Sequence, residues 1–140
     1  MRLFWDTNIM LDLLGERPPF YESAAKIASL ADERKLLITI SALSYANVNY
    51  VLSKYESVEK VKDKLRKFKI ISKICALDEE IIDKALNSDF KDFEDALQYF
   101  CALKSNSDVL ITRNGVDFKT AKIPIMTAEE YLASYCRTVL

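Results

Sequence analysis

Met1-Arg2-Leu3-Phe4-Trp5-Asp6-Thr7-Asn8 is a short apolar run that ends on a carboxylate followed by two small polar residues. An apolar strand closing on its first acid is how open α/β sheets begin a site, because ligands collect beyond the carboxyl ends of the strands. The stretch gains weight from what the chain lacks. There is no histidine among its 140 residues, so its chemistry rests on carboxylates, amides, hydroxyls and any ion they bind.

Outward from that stretch, strand and helix alternate. Leu3 to Asp6 reads as a strand, and Ile9 to Leu14 as a short helix ended by Gly15 and the Pro18-Pro19 pair. Ala24, Ile27, Ala28 and Ala31 recur at helical spacing between Tyr21 and Arg34. Leu36 to Ile40 is apolar on both faces, as expected of a strand in a covered parallel sheet. Ser41 to Ser53 is read as a helix with Leu43, Ala46, Tyr50 and Val51 toward the core. Ser57 to Lys69 is another, with Val58, Val61, Leu65 and Phe68 as its stripe.

Ile74 to Leu77 is the third strand expected, followed by a helix over Glu79 to Leu86. Phe90 to Lys104 reads as a longer helix that buries Phe93, Ala96, Leu97, Phe100 and Cys101. Val109 to Thr112 is the fourth strand and Ile123 to Met126 a fifth. Thr127 with Glu130 fits a capping box before a last helix carrying Tyr131, Leu132 and Tyr135. The tyrosines serve either a dimer contact or the core. Together these elements predict one domain over residues 1–140, a three-layer α/β/α sandwich around a short parallel sheet.

Composition narrows the function classes. Half the residues are apolar, which argues against disorder. With 20 basic and 21 acidic side chains, no global positive field draws in nucleic acid. No stretch approaches a membrane span, and no secretory signal opens the chain. Cys75, Cys101 and Cys136 have no paired-ligand spacing, so reduced, mostly buried thiols and a cytoplasmic location are expected. Two glycines leave no room for a glycine-rich phosphate loop.

Three acids fall where this topology brings distant segments together: Asp6 ends strand one, Asp95 lies early in the Phe90–Lys104 helix, and Asp117 follows strand four. Taken singly, each has an ordinary role as an exposed or helix-capping acid. Asp92 and Glu94 suit a helix's first turn, although Asp92 shares a face with Asp95. If the three converge, two charges ~4 Å apart repel by about 4 kcal/mol at an effective dielectric of 20. Such a group binds protons, recruits Lys or Arg, or binds a cation. Hard oxygen donors without histidine favour Mg²⁺ or Mn²⁺ over zinc, and such an ion suits phosphodiester hydrolysis. Asn8, Thr112 and Asn114 are then partners that orient ligands or substrate, with Thr112 and Asn114 equally readable as turn residues before Gly115. Arg113 either holds a phosphate or pairs with a nearby acid.

At this point the chain resembles the PIN-domain family, small metal-dependent ribonucleases that include the toxins of toxin–antitoxin pairs. The resemblance is carried by Asp6-Thr7-Asn8-Ile9-Met10-Leu11-Asp12, by Asp92-Phe93-Glu94-Asp95-Ala96-Leu97-Gln98, and by Ile111-Thr112-Arg113-Asn114 with Asp117-Phe118. It implies that Asp6, Asp95 and Asp117 are metal-site acids, with Asn114 standing where many members carry a further aspartate. It also implies an RNA substrate, an antitoxin partner and a homodimer. One departure is that many active members place a glutamate on the helix after strand two, and here Asn47 occupies the matching position.

The expected function is therefore a Mg²⁺- or Mn²⁺-dependent endoribonuclease. The alternative is a catalytically weak or inactive module that binds RNA or protein. Lys60, Lys62, Lys64, Arg66, Lys67 and Lys69, with Lys54 and Lys73 nearby, offer either a phosphate-contacting surface or an ordinary solvated face. Tyr45, Tyr50, Tyr55 and Tyr99 are candidates to stack an unpaired base, or else pack in the interior.

Overall fold

In the computed structural model, which describes residues 1–118 and 121–139, the strands are β1 (Arg2–Trp5), β2 (Leu37–Ser41), β3 (Ser72–Cys75), β4 (Val109–Ile111) and β5 (Ile125–Met126). They form one parallel sheet in the order β3-β2-β1-β4-β5. The helices are α1 (Thr7–Leu14), α2 (Tyr21–Asp32), α3 (Ala42–Leu52), α4 (Val58–Ile70), α5 (Glu79–Leu86), α6 (Phe93–Lys104) and α7 (Ala128–Val139), with a 3₁₀ turn at Gly115–Phe118.

Strand alternation sorts the side chains into two cores. Leu3 and Trp5 of β1 point to the face covered by α1, α2, α3, α4 and α7. Phe4, between them, points to the face covered by α5, α6 and the 3₁₀ turn. The three layers expected from the sequence are thus present. A parallel sheet covered on both faces needs apolar residues in consecutive positions, and Leu3-Phe4-Trp5 are all fully buried. Gly15 caps the end of α1, and a Cβ at that position would meet the Leu11 carbonyl oxygen at 2.8 Å, so glycine is the residue that fits there. The capping box at α7 is made: Thr127 N donates to Glu130 Oε1 at 2.9 Å, and Glu130 N to Thr127 Oγ1 at 3.0 Å.

Several local expectations shift. β3 begins at Ser72, two residues early, because its register pairs Ile40 with Ile74 and Ile38 with Ser72. As a sheet edge it tolerates Ser72 and Lys73, which apolar patterning does not register. α6 begins at Phe93, where Asp92 caps the helix. Phe93 accordingly stays exposed, and Phe90 packs instead on Tyr99 and Phe118, with ring centroids 5.2 and 5.8 Å apart. α3 is rotated from the expected face and buries Ser44, Val48 and Leu52, leaving Ala46 and Tyr50 exposed. The Ser44 hydroxyl is hydrogen-bonded, so its burial carries little penalty.

Val58 likewise stays outside the α4 stripe. Tyr131 is buried against Tyr135 and joins the core. Cys75 and Cys101 are buried free thiols, and Cys136 is free and exposed. Among the described residues, no helix is long and apolar enough to cross a membrane.

Candidate active site

Asp6 leaves the carboxyl end of β1 and becomes the N-cap of α1. Its backbone N–H donates to the Ile111 carbonyl at 3.0 Å, fixing it beside the end of β4. One carboxylate oxygen accepts from Thr7 N at 2.8 Å and the other from the Thr112 hydroxyl at 2.9 Å. Thr112 is itself fully buried, and its Oγ1 accepts from Asn114 N at 3.1 Å. Asp6 is only 5% exposed. Burial raises its carboxyl above the ordinary range, while the Thr112 hydroxyl and the Thr7 N–H oppose that rise.

Above Asp6 opens a cleft of about 330 Å³. α1 contributes Asn8 to its wall, and α3 contributes Asn47 and Val51. Asp92, Glu94 and Asp95 enter from the start of α6, and Asn114 and Asp117 from the turn after β4. The cleft continues into a depression bounded by Phe90, Lys91 and Val116, which shares Asp92, Asp95 and Asp117. A larger cavity, about 560 Å³, lies at the amino edge of the strands around Arg2 and Lys35, away from these acids. Size alone therefore does not mark the site.

The structure thus draws together Asp6, Asn8, Asn47, Asp92, Glu94, Asp95, Asn114 and Asp117. Among the described residues that line the cleft, none is basic. The crowding registers on Asp95, whose carboxyl is pushed up to about 7, first by burial and then by repulsion from Asp92, Asp6, Asp117 and Glu94. Asp92 commits one oxygen to Asp95 N as the helix cap, at 3.0 Å. The Asn47 amide donates to Glu94 Oε1 at 3.0 Å and bridges the cleft from α3 to α6. Among the described residues, no three acids close into a preformed ligand cluster. They ring the cleft as separated, mutually repelling carboxylates.

Arg113 does not face this cleft. Its Nη2 lies 3.2 Å from Asp12 Oδ1, its Nε lies 3.0 Å from Asp12 Oδ2, and its guanidinium sits 4.0 Å over the Phe20 ring. Arg17 holds the same buried Asp12 at 2.9 Å. Of the two roles open to Arg113, the structure shows the ion pair. The α4 lysines are partly engaged as well: Lys60 and Lys64 pair with Glu56, and Arg66 with Asp63. Tyr45 and Tyr99 pack against Phe68 and Phe90, leaving Tyr50 and Tyr55 exposed.

Two buried polar residues near the site were not anticipated. Asp12 sits among apolar neighbours in α1. Gln98 is fully buried within the apolar stretch Ala96–Ala102 of α6. A polar side chain breaking an otherwise apolar stripe was the signal available for both.

A family model described as PIN domain matches residues 2–115. The chain is 26% identical over 135 residues to Ribonuclease VapC1 of Aquifex aeolicus (strain VF5), covering 93% of this chain and 92% of that one. The solved structure of VapBC2 from Rickettsia felis, bound to a promoter DNA fragment, aligns with a TM-score of 0.66 at 22% identity, over 90% of this chain and 97% of that one. VapBC-1 from nontypeable Haemophilus influenzae aligns at 0.64 and 18% identity, over 92% and 99%. At these identities the two structures show a shared fold.

Proposed function

Because the chain belongs to the PIN-domain family, we propose that it is a Mg²⁺- or Mn²⁺-dependent endoribonuclease that hydrolyses RNA phosphodiester bonds in the cleft above Asp6. The observation that carries this reading is the gathering of five carboxylates, Asp6, Asp92, Glu94, Asp95 and Asp117, around one cleft. An Asp95 carboxyl pushed up to about 7, first by burial and then by its acid neighbours, in a cleft whose own lining includes no basic residue, suits a cation. The donors are hard oxygens, which suits Mg²⁺ or Mn²⁺. Their open spacing suits an ion that keeps several of its waters. Asp6, Asp95 and Asp117 would hold the ion, which supplies phosphate neutralisation and a more acidic attacking water.

The protein's own part is positioning and proton control. Asp6 is oriented by Thr112 and Thr7 before any ligand arrives, so little reorganisation remains at binding. Asp95, pushed up to about 7 in the metal-free site, would give up its proton as the ion binds, so cation binding should strengthen as pH rises through that value. Asp117 is exposed at the mouth, beside Asn114, whose amide is free to orient water or a phosphate oxygen. In this reading Asn8, Asp92 and Glu94 shape the wall, and Thr112 acts through Asp6.

The toxin role extends the same reading. The relative named a ribonuclease supports RNA cleavage, and the proposal adds that the chain is a toxin, works as a homodimer and is silenced by an antitoxin protein. A second reading keeps the fold and loses turnover, leaving a module that binds RNA or protein. It is favoured by Asn47, a neutral amide tied to Glu94 where a further acid would strengthen cation binding. A cleavage assay on mixed cellular RNA with Mn²⁺, Mg²⁺ or chelator separates the two. Asp6→Asn should abolish metal-dependent cleavage with the fold intact. An unchanged rate in that variant would sink the assignment, and RNA binding without cleavage in the wild type would favour the second reading.

A further inference from the structure

Gln98 is fully buried on α6, one turn beyond Asp95. Its Nε2 donates to Thr7 Oγ1 at 3.0 Å and to Ser44 Oγ at 3.2 Å. The two hydroxyls are themselves 2.7 Å apart. Each member of this trio is bound in sequence to a different wall of the cleft. Thr7 follows Asp6, Ser44 precedes Asn47 by one turn of α3, and Gln98 follows Asp95 by one turn of α6.

The trio also lies where the two apolar cores meet. α1 and α3 bury their main stripes in one core and α6 buries its own in the other. Apolar contact is non-directional and sets separation loosely, whereas hydrogen bonds constrain both length and angle. From this we infer that Gln98, with Thr7 and Ser44, forms a buried three-way junction that fixes the spacing of Asp6, Asn47 and Asp95, which makes Gln98 a positioning residue for cation binding.

A second observation points the same way. Gln98 Oε1 is buried without a hydrogen-bond partner among the described residues. Leaving a buried acceptor unsatisfied is costly, and an apolar side chain of similar size avoids that cost. Gln98 is therefore a poor choice for stability alone, and its placement is explained by the two directed bonds it makes. The Asn47–Glu94 bond ties α3 to α6 again at the mouth of the cleft. The two helices are thus held at two depths by polar contacts.

The inference rests on the metal-dependent reading above, and its test keeps the two apart. Mn²⁺ binding is titrated by calorimetry on wild type, Gln98→Met, Thr7→Val and Thr7→Ser, with urea unfolding of each in chelator. Gln98→Met should fold with stability near or above wild type, yet bind Mn²⁺ about tenfold to a hundredfold more weakly, the range seen when a group behind a metal ligand is removed. Thr7→Val should lose affinity similarly, and Thr7→Ser, which restores the hydroxyl, should recover most of it. The Thr7 pair carries the test whatever Gln98→Met does to folding.

Wild-type affinity in both Gln98→Met and Thr7→Val overturns the junction while leaving the metal reading in place. So does equal loss in Thr7→Val and Thr7→Ser. A wild type that binds no Mn²⁺ overturns both together, and the wild-type titration alone identifies that outcome.

Discussion

Replacing Asp95 with Asn should make the metal-free protein more stable in mild alkali and leave it nearly unchanged in acid. The Asp95 carboxyl lies at about 7 in the folded chain against 3.8 for an ordinary aspartate. Between those values the native state keeps a proton that the unfolded chain has released. Stability therefore falls as pH rises from the unfolded value through the folded one, and the loss is complete above it. Asn cannot ionise and escapes that fall. A shift of ~3 units corresponds to about 4 kcal/mol at full weight, since each unit is worth 1.36. Asp95 is partly open to solvent, which screens its neighbours' charges. We therefore expect a gain of about 1–2 kcal/mol near pH 8, shrinking to a few tenths near pH 4.

Urea unfolding in chelator at both pH values reads this as a shift in midpoint at constant slope. A variant no more stable than wild type near pH 8, or one whose advantage is the same at both pH values, would refute the raised Asp95 carboxyl and its burial among acids. The same substitution should cost the protein its response to metal. Wild type should gain about 2.7 kcal/mol from Mn²⁺ at a hundred times its dissociation constant, and the variant much less.

Thr112→Val removes the hydroxyl that donates to Asp6 at 2.9 Å. It should lower stability by about 1–3 kcal/mol in urea unfolding, the cost of leaving a buried hydrogen-bonding group unsatisfied. Arg17→Ala and Arg113→Ala should each be modest alone, because the remaining arginine still covers Asp12. The double variant should lose about 3–5 kcal/mol by leaving a buried charge unpaired, and a double-mutant cycle should show that excess over additivity. Asn47→Glu exchanges the amide bond to Glu94 for a like-charge contact. It should destabilise the protein in chelator, tighten Mn²⁺ binding by calorimetry, and raise the rate of metal-dependent RNA cleavage.

The acids of the cleft were legible in the sequence because each stands at an element boundary that short-range pattern reveals. Asp6 ends an apolar run, Asp95 sits one turn inside a helix start, and Asp117 follows a strand and a Gly-containing turn. A parallel sheet with short strands then brings those boundaries to one edge. The hydrogen bonds that hold the acids in place were not legible. Thr7, Ser44 and Gln98 are far apart in the chain, and nothing in the helical spacing of each says that the three will meet. The rotation of α3 has the same origin, since Ser44 is buried by partners on other segments and not by its own hydrophobicity. Asp12 was missed because its two arginines lie five and 101 residues away. The edge strand β3 was misplaced because its polar start is tolerated by exposure on one side.

That edge strand also bears on how copies of the protein meet one another. An open sheet leaves two rows of unpaired backbone groups, and each can template a strand from a neighbouring molecule. At one end β5 is only two residues long, too short to offer much of a ladder. At the other, β3 is longer and lies beside Ile70 and Ile71, with Ile74 partly exposed on it. There Lys73 projects from the strand as an exposed charge. An incoming strand would have to accommodate that ammonium, so the residue that made β3 hard to recognise also guards this edge against fibrous association.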